Sequence, residues 1–128
     1  MYPKWNSINF DDLKGVPYLN GLRESEKGLF LIFDFQSGNK LIHFNDYFVL
    51  RVIDEGNALK TLEQQSFDGK SWLFVSTNSD LIDWFNDQSY SIHENEYKHY
   101  IVVSQHKILE ILSSVPPEIV DGIHFASN

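Results

Sequence analysis

Residues 99–114 read HYIVVSQHKILEILSS, and the reading of that run decides the fold. The first half, 99–104, is apolar and β-branched and reads as a strand. Ser104 is a ready helix cap, and Pro116-Pro117 must stop whatever follows. On a helical wheel Ile108, Ile111, Leu112 and Val115 share one face with Leu109 at its edge, while Lys107 and Glu110 point away. The spacing therefore predicts a helix over 105–114 lying on a sheet.

Working outward, residues 29–56 read LFLIFDFQSGNKLIHFNDYFVLRVIDEG. Two β-rich runs, 29–36 and 40–45, flank Ser37-Gly38-Asn39, a good hairpin turn, and Asn45-Asp46 offers a second turn into 47–53. An antiparallel meander over 29–53 is expected. Gly56-Asn57 breaks it, and ALKTLEQQ (58–65) has the composition of a short helix. Residues 1–27, punctuated by Pro3, Gly15, Pro17, Gly21 and Gly28, read as irregular structure with at most a short strand. SWLFVS (71–76) is a further strand, and Asn78 or Ser79 can cap a helix over 79–88. The expected architecture is a single α+β domain, residues 1–128. It has a mostly antiparallel sheet of about five strands (meander 29–53, then 71–76 and 99–104) with two helices, 79–88 and 105–114, packed on it.

Composition supports one folded unit, with 42% hydrophobic and 15% aromatic residues among 128. No apolar run approaches the roughly 18 to 20 residues that cross a bilayer, and the N-terminus lacks the basic-then-apolar pattern of a secretory signal. There is no cysteine, hence no disulfide framework or thiolate metal site. A soluble cytoplasmic protein is expected. Ten Lys and Arg against 18 Asp and Glu give a formal net charge of −8. That balance disfavours nucleic acid and anionic membranes, and favours approach to a basic protein. Solubility alone is the plainer explanation of the same charge.

The charge is concentrated. Between Ser71 and Tyr97 there is no Lys or Arg, while Asp80, Asp83, Asp87, Glu94 and Glu96 contribute five carboxylates. In SDLIDWFND (79–87) the three aspartates form one stripe of the helix, Leu81, Ile82 and Phe85 lie on the opposite arc, and Trp84 sits at the border. Asp80 and Asp83 in the first turn suit the helix dipole, whereas Asp87 near the C-terminus does not. Carboxylates beside aromatic side chains are the ingredients of a hot spot for a basic partner. The candidate partner-binding residues are Asp80, Asp83, Trp84, Asp87, Glu94, Glu96 and Tyr97. The alternative is an amphipathic helix with a well-charged outer face, in which Trp84 only edges the core.

Signatures of catalysis are missing. The sequence has no glycine-rich phosphate loop and no GxSxG elbow. Among His43, His93, His99, His106 and His124 no pair has a recognised metal-ligand spacing, so neither metal nor cofactor is expected. His43 and His99 are read as satisfied surface or core-edge groups on strands. Asp54 and Glu55, closing RVIDEG (51–56), are paired carboxylates without a partner at any recognisable spacing, and read as a solvated strand end.

The run LFLIFDFQSGNKLIHFNDYFVLRVIDEGNALKTL, then SDLIDWFNDQS, then HYIVVSQHKILEILSSVPPE resembles the layout of the small acidic immunity proteins of contact-dependent growth inhibition and related bacterial polymorphic toxin systems. The resemblance spans roughly 28–118 and lies in size, charge and arrangement. No shared motif carries a functional residue across. It implies a cytoplasmic, non-enzymatic toxin inhibitor that binds a cognate basic toxin domain, often a nuclease, through protein–protein interaction. An adaptor or subunit of a larger assembly, and a small enzyme, stand as the other two classes.

Overall fold

In the computed structural model, residues 5–54 and 71–121 are described. The elements in chain order are β1 (Asn6–Ser7), β2 (Tyr18–Ser25), β3 (Gly28–Phe35), β4 (Gly38–Phe44), β5 (Val49–Asp54), β6 (Leu73–Ser76), α1 (Asp80–Gln88), β7 (Lys98–Val103), β8 (Lys107–Ser113) and β9 (Glu118–Asp121). They form two antiparallel sheets, ordered β1-β6-β7-β8-β5 and β2-β3-β4-β9.

Strand alternation makes the core. On β3, Leu29, Leu31, Phe33 and Phe35 point inward, joined by Ile42 and Phe44 of β4. They meet Leu73, Tyr100, Val102, Leu109 and Ile111 of the five-stranded sheet around Trp72. The indole of Trp72 donates to the Leu13 carbonyl at 2.9 Å, so the largest core side chain has its polar atom satisfied. The two sheets thus share one interior, as in a sandwich. The outer face of the five-stranded sheet is apolar as well. Trp5 and Val16 cover Phe74, Ile101, Val103 and Ile108, while α1 covers Leu112.

This double burial corrects the expected helix over 105–114, which is strand β8. Leu109 and Ile111 face the shared core, and Ile108 and Leu112 face outward beneath the covering segments. A strand apolar on both faces loses its period-2 signature and reads as a continuous run that also satisfies a helical wheel. Ser104 caps no helix. Its Oγ donates to the Lys107 carbonyl at 2.7 Å and accepts the Lys107 N–H at 2.9 Å, closing a hairpin around Gln105 and His106. Among the described residues the fold has one helix, not two.

The meander is also corrected. The β3–β4 hairpin runs in register from Leu29↔Phe44 to Phe35↔Gly38, but β5 crosses to the other sheet and pairs with β8, Val49 opposite Leu112. Ser113 Oγ donates to the Asp46 carbonyl at 2.6 Å and Phe48 N–H to the Leu112 carbonyl at 2.8 Å, fastening the crossing. At its foot Gly28 has φ +113°, and a Cβ there would collide with the Phe44 carbonyl oxygen. The expected strands 71–76 and 99–104 correspond to β6 and β7, and the expected helix 79–88 to α1. The eight-residue β2 lies where mostly irregular structure was expected, because an exposed edge strand carries little apolar period. The helix expected at 58–65 falls outside the described residues.

Candidate partner-binding face

Helix α1 is built by local rules. Ser79 is extended (φ −151°, ψ 163°) and its Oγ accepts the Ile82 N–H at 3.2 Å, the N-cap expected before Asp80 and Asp83. Leu81 and Ile82 are buried against Leu112 and Tyr97, with Phe48, Val49 and Phe85 at the margin. Phe48, Phe85, His93 and Tyr97 form an aromatic cluster with centroid separations of 4.7 to 6.1 Å, which sets the helix firmly on the sheet.

The other side of α1 is its acidic face. Asp80, Asp83, Trp84 and Asp87 are exposed, and no basic residue compensates the last turn. Beyond Ser89 the chain turns back through two consecutive left-handed residues, Tyr90 (φ 53°) and Ser91 (φ 59°), held by Ser91 N–H donating to the Asn86 carbonyl at 2.7 Å. A left-handed tyrosine is uncommon and costs energy. Its effect is to hold Tyr90 out from the surface. Trp84 is 51% exposed, Tyr90 91% and Ile92 70%, three large apolar side chains facing water within one acidic span of the sequence.

Asp83, Glu94 and Glu96 are brought together around a groove of about 400 Å³ between α1 and residues 94–98, with Asn86 and Lys98 also in its lining. Asp80, Trp84 and Asp87 lie on the helix outside that groove. Tyr97 departs from the expected role of exposed anchor. It is only 7% exposed, and its hydroxyl donates to Asn86 Oδ1 at 2.6 Å. Burial, together with the Glu94 and Asp83 charges, pushes its pKa up. It forms the groove's floor and supports the face from beneath.

Beneath the helix lies a buried polar chain that sequence reasoning missed. Arg51 Nε donates to Glu110 Oε2 at 2.6 Å, Glu110 Oε1 is 3.1 Å from His99 Nε2, and His99 Nδ1 is 2.7 Å from Ser79 Oγ. The Glu110–His99 approach is short but poorly aligned for a hydrogen bond. Burial lowers the His99 pKa, outweighing the nearby Glu110 carboxylate, which raises it, and keeps the ring neutral at pH 7. For Glu110 burial raises the pKa, but the proximity of His99 and the Arg51 guanidinium together prevail and hold it below the ordinary carboxylate range. Glu110, expected on the outward face of a helix, is buried on β8. His99 is on a strand as expected, but wholly buried rather than at the core edge. The signal available in the sequence was a lone glutamate inside ILEIL, which a two-faced buried strand tolerates only if paired.

Hydroxyl, imidazole and carboxylate in that order are the parts of a serine nucleophile's relay. Here Ser79 is buried, its oxygen accepts the Ile82 N–H, and two neighbouring grooves include Thr77 and Asn78 but not Ser79. The arrangement fastens α1 to the sheet. Asp54 pairs with Lys107 across β5–β8, which lowers its pKa; Glu55 falls outside the described residues. His43 stacks on Phe30 with its Nε2 2.7 Å from the Lys27 carbonyl oxygen. Among the described residues no three His, Asp or Glu side chains stand close enough to hold a metal, and no helix is long and apolar enough to cross a membrane. In comparisons with models of known families, with curated proteins and with solved structures, the chain matches none.

Proposed function

We propose that this chain is a protein-binding module that docks a basic partner on the outer face of α1 and residues 89–96. Its most concrete form is a cytoplasmic immunity protein that occupies the phosphate-seeking cleft of a toxin domain. The observation that carries the reading is the exposure of Trp84, Tyr90 and Ile92 among five carboxylates, in a span without Lys or Arg. Carboxylates steer a basic surface inward and raise the association rate; apolar anchors then slow dissociation. Asp87, at the end of α1 where a negative charge is unfavourable, fits a docking role better than a stabilising one. The test is a salt-titrated binding measurement between the purified chain and the product of the gene immediately upstream, with Asp83→Lys/Asp87→Lys as the comparison. Weakened binding and a shallower salt slope support the face, and an unchanged affinity removes it.

A second reading, an adaptor or subunit of a larger assembly, is favoured by β2, a sheet edge on which Tyr18 and Leu22 are exposed. Pairing there would respond weakly to salt.

A further inference from the structure

The chain Arg51–Glu110–His99–Ser79 joins a buried imidazole directly to the N-cap of the helix that bears the acidic face. With His99 neutral, Nδ1 has a lone pair to receive the Ser79 hydroxyl proton, leaving the Ser79 oxygen free to accept the Ile82 N–H. A proton on Nδ1 turns that acceptor into a donor. The Ser79 hydroxyl must then rotate its hydrogen away, and the ring becomes a cation at the positive end of the α1 dipole. We infer that His99 is a proton-operated latch: protonation of its ring loosens the first turn of α1 and withdraws the acidic face.

The surroundings of the ring permit this. From β8 it meets Glu110, and from β5 Arg51 reaches it through Glu110. Ser76 of β6 is its uncharged register partner, Ser79 comes from the α1 cap, and the Trp5 ring lies edge-on at 4.8 Å. Glu110 alone favours the charged ring, but Arg51 shares that carboxylate, and burial opposes the charge. Histidine is the side chain whose titration falls within the range cells can reach. The consequence for a partner rests on the reading of α1 as a docking face; the latch itself does not.

The test needs no partner. The full chain, labelled with ¹⁵N, is followed by NMR from about pH 7.5 to about pH 5, reading the His99 ring nitrogens and the exchange protection of the Ile82 and Asp83 amides, whose acceptors are Ser79 Oγ and the Ser79 carbonyl. The latch predicts a neutral ring with its proton on Nε2 at the upper end. As pH falls below about 6.5, where the opened ring takes the proton, protection at those two amides should fall by at most about tenfold per pH unit and should stay below that of the β3 amides, which open only with the whole fold. His99→Gln should abolish the pH dependence, and Ser79→Ala should leave both amides poorly protected at every pH. Constant protection across the range, with the ring charged or neutral, overturns the latch, as does the same pH-dependent loss in His99→Gln. A latch that works in a protein that binds no basic partner would sink the proposed function alone.

Discussion

Arg51 and Glu110 do not bear the loss of their partner equally. The Glu110 side chain is 2% exposed, whereas that of Arg51 is 46% exposed and can turn into water. Arg51→Met strands a buried carboxylate and should cost about 3 kcal/mol, while Glu110→Gln, which keeps the shape and frees Arg51, should cost about 1 kcal/mol. Urea unfolding at neutral pH measures both, and equal costs would contradict the asymmetry. The pH dependence follows from the same pair. His99 has a folded-state pKa below its ordinary 6.5, so the unfolded chain binds the proton first, and stability present above pH 6.5 is lost as pH falls through the folded value. Glu110, lowered from 4.5, adds a second loss below that point. Each proton steepens the slope by at most about 1.4 kcal/mol per pH unit, and His99→Gln should remove the first segment only. Trp84, half exposed, is a different kind of residue. Trp84→Ala should leave unfolding nearly unchanged yet cost about 2 kcal/mol of partner affinity if it is an anchor.

At the scale of elements, a docking role for α1 would separate stability from binding. Replacing Asp87 by Lys puts a cation in a last turn that has none and should stabilise the fold by about 0.3 to 1 kcal/mol, while weakening partner binding. Thermal unfolding and binding of the same variant should move in opposite directions. A loss in both would make Asp87 a structural residue. The helix was legible in the sequence because it is amphipathic and capped, with Ser79, Leu81 and Ile82 where the pattern puts them. β8 was not, because burial on both faces erases alternation and leaves ILEIL compatible with either period. β5 was placed correctly along the chain but in the wrong sheet, since its partner is set by contacts of Asp46 and Phe48 with β8 that adjacent turns do not encode. Of the candidate site, the acidic stripe and Trp84 were legible from periodicity. The burial of Tyr97 was not, because Asn86, eleven positions away, receives its hydroxyl.

For the whole molecule, the sandwich supplies a rigid base and α1 with its return segment supplies the charged face. A net charge of −8 makes long-range attraction to a basic surface possible, and the placement of five carboxylates within 71–97 gives it a direction. The most direct measurement is the association rate of the purified chain with the product of the adjacent upstream gene across a salt series, for the natural protein and for Asp83→Lys/Asp87→Lys. A rate that falls steeply with salt in the natural protein, and is at least about tenfold slower with a flatter slope in the variant, is the predicted result. Equal rates and equal slopes would contradict a docking role for this face.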